Sequence, residues 1–311
     1  MSTRSRSNPG GARLLEMGEV LPFGERKPAW FKRPAPGGPA YRELRSMIAG
    51  EGLHTVCQEA ACPNIGECWE RGTATFMILG DTCTRRCGFC NVKTGKPTHH
   101  DPLEPLRVAQ SVKRMGLRHA VITSVDRDDL PDLGASAFVG VIRSIRRMAP
   151  GCKVEVLTPD FRGEEMPLAR VIAERPDVFN HNVETVPRLY PLARRGSRFM
   201  RSCRVLRNAK ELGGEAVTTK SGLMTGLGES KQELIETFGV LREHGVQLLT
   251  VGQYLRPTRQ HLPVVRYWHP YEFAELERAA YALGFESVAA GPLVRSSYHA
   301  EQTLAQAASS G

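Results

Sequence analysis

The chain has 311 residues, 41% of them hydrophobic, and a formal net charge of +9. This length and apolar content suffice for one large domain with a full core. The longest apolar runs, such as residues 120–123 and 248–251, have the size of strands and fall far short of the roughly 18 residues that a membrane-spanning helix needs. We therefore predict a soluble, cytoplasmic protein with no membrane partner.

The first 70 residues contain little strand signal and several prolines, with one clear helical pattern at residues 41–49. Arginines and serines near the N-terminus faintly suggest an organelle transit peptide, but ten residues are too few to show an amphipathic helix, and a bacterial N-terminal arm fits better. The predicted organisation is an N-terminal extension over residues 1–70, a barrel over residues 71–300 and a disordered tail over residues 301–311.

From about residue 75 the chain alternates apolar, β-rich runs with amphipathic helical patterns. Six strand–helix repeats predict an α/β fold with a parallel sheet, curled as a partial (β/α)6 barrel of the TIM type; a doubly wound open sheet is the competing architecture. In either fold, ligands collect at the C-terminal ends of the strands. The predicted strands are residues 75–80, 119–125, 154–159, 178–184, 216–225 and 248–254, and the predicted helices are residues 106–115, 137–148, 166–174, 205–212, 231–244 and 273–283.

Six of the eight cysteines stand close together, in two triplets. Disulfide frameworks belong to small secreted domains, and a zinc site usually has a fourth Cys or His at short spacing, which neither triplet has. Three thiolates can instead hold three corners of a four-iron cluster and leave the fourth iron open for a substrate or cofactor. The first triplet is Cys83, Cys87 and Cys90, the second is Cys57, Cys62 and Cys68, and the isolated Cys152 and Cys203 are predicted to be buried thiols.

The Cys-x3-Cys-x2-Cys spacing of the first triplet, with the aromatic Phe89 before its last cysteine, resembles the radical S-adenosylmethionine superfamily. The resemblance implies that these cysteines hold a 4Fe-4S cluster whose open iron chelates S-adenosylmethionine, with Phe89 beside it. One electron then cleaves the sulfonium to give a 5'-deoxyadenosyl radical, and the protein orients this chemistry.

Further motifs narrow the resemblance. The order of the two triplets is followed by His-Asn-Val-Glu-Thr at residues 181–185, Gly-Leu-Gly-Glu at 226–229, Gln-Tyr-Leu-Arg-Pro at 253–257 and Arg-Ser-Ser-Tyr at 295–298. This combination resembles the lipoyl synthase family, from about residue 53 to residue 300.

That family resemblance implies a second 4Fe-4S cluster on the upstream triplet, with Ser297 as its fourth ligand and Ser296 as the alternative. An alkoxide is a hard ligand among soft thiolates and should be the bond most easily given up. The family uses this cluster as a sulfur source for C6 and C8 of an octanoyl chain. Without the resemblance, both serines would be read as an ordinary turn after Pro292.

Two polar residues at the end of the fourth predicted strand, Asn182 and Glu184, are predicted to orient S-adenosylmethionine or the substrate; the alternative is an ordinary buried hydrogen-bond pair. One position departs from the family pattern. Leu133 stands where the family has glycine, so a backbone conformation that requires glycine there is in question.

The resemblance also implies partners: an octanoylated lipoyl-carrier protein or domain such as an E2 subunit or a glycine cleavage H protein, an electron donor such as ferredoxin or flavodoxin, and an iron-sulfur carrier. Seven arginines lie within residues 188–207 and could meet an acidic carrier. No nucleic-acid motif accompanies them, so no nucleic-acid partner is predicted. The rival interpretations are a radical enzyme of the biotin synthase kind and a zinc-stabilised nucleic-acid-binding protein.

Overall fold

The computed structural model of the chain describes residues 17–32, 38, 42, 46, 54–55, 64–70, 73–98, 101–298 and 300. The predicted helix at residues 41–49 lies outside this part except for residues 42 and 46, both of which are helical. Cys57 and Cys62 also lie outside the described residues. Within them no helix is long and apolar enough to cross a membrane.

The described part of the chain is built on one large, mostly parallel sheet, in the order β1-β2-β5-β6-β7-β8-β9-β10. β1 (His54–Thr55) runs antiparallel to β2 at one edge, and each later neighbour is parallel to the last. The parallel strands are β2 (Thr73–Ile78), β5 (His119–Ser124), β6 (Lys153–Leu157), β7 (Val178–Asn180), β8 (Thr218–Thr225), β9 (Leu248–Gln253) and β10 (Ser287–Gly291), and a separate small pair is β3 (Thr82–Cys83) with β4 (Lys93–Thr94).

Helices follow the strands and cover the outside of the sheet. They lie side by side in chain order, α2 against α3, α3 against α4, α4 against α6 and α7 against α8. Their bounds are α1 (Ile65–Glu70), α2 (Glu104–Arg114), α3 (Ala135–Met148), α4 (Glu165–Ala173), α5 (Tyr190–Ala193), α6 (Phe199–Gly213), α7 (Lys231–Glu243) and α8 (Pro270–Ala282).

The core forms where the apolar faces of these helices meet the strands. β2 and β9 are buried along their whole length, as expected for parallel strands covered on both faces. One core cluster joins the strands around β2 and β5 to α2, α3 and α4, and includes Phe76 and Phe138. A second joins β8 and β9 to α7 and α8, and includes Phe238 and the fully buried Trp268.

The α/β fold class and the parallel, barrel-type sheet are confirmed, and each predicted strand is present with ends shifted by up to four residues. The sheet has one more parallel strand than the six predicted, β10, which pairs with β9. Its sequence, Ser-Val-Ala-Ala-Gly, has a single β-branched residue and two alanines, so it lacks the composition that marks a strand.

The fourth predicted strand is shorter than expected. β7 ends at Asn180 rather than at residue 184, and Glu184 itself takes a left-handed backbone conformation, with φ of 69°, that a strand does not continue through. Asn182 and Glu184 therefore lie in the loop after the strand, although Glu184 still forms an isolated parallel bridge to Leu223 of β8.

The departure at Leu133 has a visible consequence. This residue has a φ of 54°, a conformation that favours glycine, and its side chain is buried in the first core cluster. The turn keeps the left-handed backbone in spite of the Cβ atom, so burial of the leucine side chain offsets a local strain of about 1–2 kcal/mol.

Residues 17–32 pack across the loops that follow β8 and β9. The Leu21 N–H donates to the Val264 carbonyl at 2.7 Å, and the Trp30 ring stands edge-on to His269. At Gly228 a Cβ atom would lie 2.5 Å from the Met17 carbonyl oxygen, so only glycine permits this approach. The segment before the barrel thus covers part of the C-terminal end of the sheet.

Candidate active site

The first cysteine triplet lies at the C-terminal end of the parallel strands. Cys83 ends β3, just after β2, and Cys87 and Cys90 follow in an irregular turn. We call residues 83–90 the cysteine loop. Its position is the one that the barrel architecture reserves for ligands.

Within the cysteine loop, Cys90 interacts electrostatically with Cys83 and with Cys87. The Cys83 Sγ accepts N–H bonds from Arg85 at 3.4 Å and Asp126 at 3.3 Å. Burial is the largest influence on each thiol: it raises the pKa of Cys83 to about 11 and that of Cys87 to about 12, and the pKa of Cys90 is also raised. Without metal the thiols are therefore protonated at neutral pH, and iron binding must release their protons.

Backbone bonds from two distant loops fix the far half of the cysteine loop. The Gly88 N–H donates to the Ala193 carbonyl at 2.8 Å, and the Gly88 carbonyl accepts from the Leu262 N–H at 2.9 Å. A ring nitrogen of His261 lies 3.0 Å from the Cys90 carbonyl. A Cβ atom at Gly88 would come within 2.8 Å of the Leu262 side chain, so the loop is held tightly.

Arg85 ties the near half of the loop to the ends of the next two strands. Its guanidinium contacts Asp128 at 2.8 Å, Asp160 at 2.7 Å and Asp126 at 3.3 Å. Burial opposes charge on Asp160, but Arg85 overrides it and holds the pKa of that carboxyl below its usual range. No sequence pattern indicates this network, because acidic residues in loops are common and Arg85 stands 41 to 75 positions before its partners.

Asn182 and Glu184 lie near the cysteine loop, while their predicted role toward S-adenosylmethionine or the substrate stays a prediction. The Asn182 side-chain amide donates to the Glu184 carboxylate at 3.1 Å. After burial, the Glu184 carboxylate is among the groups that raise the pKa of Cys87 and Cys90, so it faces those thiols. Phe89 packs half-buried against the second core cluster.

Arg194 lies near the cysteine loop, although the run of arginines around it predicts a charged surface patch. It is buried, and its Nη1 atom donates to the Asn182 carbonyl at 2.6 Å and to the Tyr190 hydroxyl at 2.9 Å. After burial, it is the largest influence on the Cys87 thiol, whose pKa it lowers. A positive charge at the cysteine loop suits any anionic group bound there.

The neighbouring His181 has a structural role. Its ring nitrogens lie 2.8 Å from the Thr158 carbonyl and 2.8 Å from the Ser202 hydroxyl, and the side chain is fully buried. Burial, followed by the charge of Arg194, lowers the pKa of His181 to about 3. The imidazole is therefore neutral, and it fixes the start of the loop that carries Asn182 and Glu184.

The Gly-Leu-Gly-Glu motif forms a tight turn after β8. Glu229 is buried and accepts the Gly226 N–H at 2.6 Å and the Leu227 N–H at 2.9 Å. Burial raises the pKa of Glu229 to about 7 in spite of these bonds. The carboxyl group braces the turn from within.

Part of the second predicted cluster site is described. Cys68 lies buried on α1. Ser296 and Ser297 lie in a half-buried turn of the C-terminal segment, residues 292–298.

Two hydrogen bonds join that segment to the start of the chain. The Tyr298 hydroxyl donates to the Glu67 carboxylate at 3.3 Å, and the Asn64 side-chain amide donates to the Leu293 carbonyl at 2.6 Å. The structure therefore brings the Arg-Ser-Ser-Tyr motif to the helix that carries Cys68, although these stretches lie some 230 positions apart.

No three His, Cys, Asp or Glu side chains among the described residues converge as a single metal ion would require. A four-iron cluster spreads its thiolates over separate irons, so three cysteines on one loop could hold three of its corners without converging on a single ion.

Comparison with known proteins shows the family to which the chain belongs. Residues 77–241 match the Radical SAM superfamily. The lipoyl synthase of Rubrobacter xylanophilus is 59% identical over 92% of this chain and 90% of its own length, and that of Methylococcus capsulatus is 54% identical over 90% and 87%. The chain belongs to the lipoyl synthase family. Among solved structures, methylornithine synthase is similar in fold, with a TM-score of 0.55 and 13% identity over 88% of this chain and 76% of its own.

The resemblance inferred from the motifs is thereby confirmed. Membership in the radical SAM superfamily implies a 4Fe-4S cluster and S-adenosylmethionine. The cysteine loop, with its three thiols and the polar residues Asn182, Glu184 and Arg194 beside it, is the place in this lipoyl synthase family member that fits both.

Proposed function

We propose that the chain converts a protein-bound octanoyl group to the lipoyl group by inserting sulfur at C6 and C8. The observation that carries this proposal is the 59% identity to a lipoyl synthase over nearly the whole chain. The joining of the Arg-Ser-Ser-Tyr segment to the Cys68 helix supports it, because that contact brings the proposed serine ligand to the helix of one proposed cysteine ligand.

In this proposal Cys83, Cys87 and Cys90 hold the resident cluster. Bound there, the cluster supplies the electron that cleaves S-adenosylmethionine. Asn182 and Glu184 offer an amide and a carboxylate to the charged groups of that ligand, and Arg194 keeps both in place through the Asn182 carbonyl. Phe89 closes the apolar side of the loop.

The second 4Fe-4S cluster is the sulfur-donating substrate in this scheme, held by Cys57, Cys62 and Cys68 with Ser297 as the catalytic ligand that is released. The half-buried turn that carries Ser297 and its neighbour Ser296 lies next to α1, which supports this assignment. A Ser297 alkoxide would be a hard ligand among soft thiolates and would therefore be the bond most easily given up.

The proposed partners are an octanoylated carrier protein or domain, an electron donor such as ferredoxin or flavodoxin, and an iron-sulfur carrier that rebuilds the donor cluster. The octanoylated carrier is the substrate whose two C–H bonds are replaced by C–S bonds. We place the reaction in the cytoplasm.

Single substitutions can distinguish the roles of the two proposed cluster sites. Cys83→Ala should abolish formation of 5'-deoxyadenosine, whereas Cys57→Ala or Cys68→Ala should leave it intact and stop sulfur insertion, because only the donor is lost. Mass spectrometry of an octanoylated carrier peptide after anaerobic reconstitution measures the product. Cys152→Ala is the matched control, since its thiol lies on no proposed cluster. Lipoyl product from Cys57→Ala would refute the donor role.

Metal analysis tests the same proposal without turnover. The wild-type chain should hold about eight irons and eight sulfides, and each triplet variant about four. About two zinc ions per chain would support the rival nucleic-acid-binding interpretation instead. Ser297→Ala should weaken retention of the donor cluster more than Ser296→Ala; the reverse order would transfer the ligand role to Ser296.

A further inference from the structure

The structure sorts the seven arginines of residues 188–207 into two groups. Four are engaged: Arg188 pairs with Glu233, Arg201 with Asp160, Arg207 with Glu211, and Arg194 is buried at the cysteine loop. The other three are exposed and form no ion pair with any acidic residue in the part of the chain that the structure describes: Arg195, Arg198 and Arg204.

Two of these exposed arginines line an open groove of about 710 Å³. We call it the basic groove. Its walls carry positive charge and aromatic surface together, from Tyr190, Arg194, Arg195, Ser197, Arg198 and Phe199. Met200, whose side chain is 48% exposed, lies beside it and offers an adaptable apolar contact.

The basic groove adjoins the reaction centre. The residue just before Arg194, Ala193, accepts the backbone bond from Gly88 of the cysteine loop. Arg194 itself lines the groove and acts electrostatically on Cys87. Arg194 therefore belongs both to the lining of the groove and to the surroundings of the cysteine loop.

We propose that the basic groove docks the acidic face of the octanoylated carrier domain and admits its acyl-lysine arm toward the cysteine loop. This inference rests on the proposed function. Arginines suit such a surface because their planar guanidinium groups bind carboxylates in a bidentate way. Unpaired charges at the rim of an interface steer an oppositely charged partner and set the salt dependence of binding.

The test measures binding of an octanoylated, acidic lipoyl domain to the full-length protein by fluorescence anisotropy. Arg195→Glu with Arg198→Glu should raise the dissociation constant at least about tenfold, because two attractions become repulsions. Raising the salt from about 50 to about 200 mM should weaken wild-type binding several-fold and affect the double variant less. Arg147→Glu, an exposed arginine on the outer face of α3, is the matched control and should bind as the wild type does.

Two outcomes overturn the proposal: a double variant that binds the domain with the wild-type constant, or an Arg147→Glu variant that loses as much affinity. Loss of affinity for a single-stranded RNA probe, with carrier binding intact, would also overturn it and assign the groove to nucleic acid. Arg195→Gln with Arg198→Gln keeps the test available if charge reversal impairs folding. Lipoyl formation by the wild-type chain is measured separately, so its absence would refute the proposed function and leave the docking result standing.

Discussion

Replacing Lys220 with methionine is expected to destabilise the protein by about 3–5 kcal/mol, because the change leaves a buried carboxylate without its cation. Lys220 and Glu155 lie inside the sheet with fully buried side chains, and Nζ is 2.9 and 3.2 Å from the two carboxylate oxygens. Only neutral or weaker contacts remain to Glu155 in the variant, from Asn180 at 3.1 Å and His119 at 3.4 Å.

The pH dependence of this variant should reverse in sign. In the wild type burial opposes the charge on Glu155, but Lys220 overrides it and lowers the pKa, so Glu155 stabilises the protein above its unfolded pKa and this contribution is lost in acid. In Lys220→Met the main opposition to burial is lost, so the pKa of Glu155 rises. The folded variant then holds a proton that the unfolded chain releases, and its stability should increase as the pH falls toward 4.5.

Urea denaturation of the cluster-free protein, followed by circular dichroism, measures both effects. Lys231→Met is the matched control, because it breaks a lysine–glutamate pair of 2.7 Å between half-exposed side chains and should cost under about 1 kcal/mol. Adding Glu155→Leu to Lys220→Met should restore most of the stability, since no unpaired charge remains. If Lys220→Met costs no more than Lys231→Met, the reasoning about an isolated interior charge is wrong.

Three further changes test other parts of the structure. In the wild type the free energy of unfolding should fall by about 3 kcal/mol from pH 4.5 to pH 7, because burial raises the pKa of Glu229 to about 7 and the folded state keeps its proton in that range. Glu229→Gln should abolish this fall, and an unchanged pH profile in denaturant titrations would contradict the reasoning. Leu133→Gly should be less destabilising than Leu133→Ala by about 1 kcal/mol, since glycine alone relieves the left-handed backbone, and thermal unfolding that ranks alanine higher would refute the strain. Tyr298→Phe should speed amide hydrogen exchange in residues 64–70 severalfold, because it removes the hydrogen bond to Glu67. Exchange at the wild-type rate would show that this hydrogen bond does not stabilise the helix.

The fold and the cysteine loop could be predicted from the sequence because both depend on patterns within short stretches of the chain. The six predicted strands are short, β-rich runs of strand length separated by helical patterns, and the cysteine spacing is complete within eight residues. β10 was not predicted because most of its residues are small. Its place in the sheet follows from pairing with β9 rather than from its own composition.

The electrostatic part of the site could not be predicted in the same way. Arg194 sits in a run of arginines that looks like a solvated surface, and only the folding of its loop back onto β7 buries it against the Asn182 carbonyl. The structural role of Arg85 likewise depends on ion pairs with carboxylates from two later loops. Periodicity reports which face of an element is apolar, but it carries no information about which charges meet across the mouth of a barrel.

The bond between Tyr298 and Glu67 spans 231 positions of the chain. A contact of such sequence separation closes a long loop, which makes it slow to form compared with local contacts. During synthesis, the helix bearing Cys68 therefore stays without this contact until Tyr298 has left the ribosome. Any ligand that needs both stretches at that corner of the molecule can bind only after Tyr298 has been synthesised.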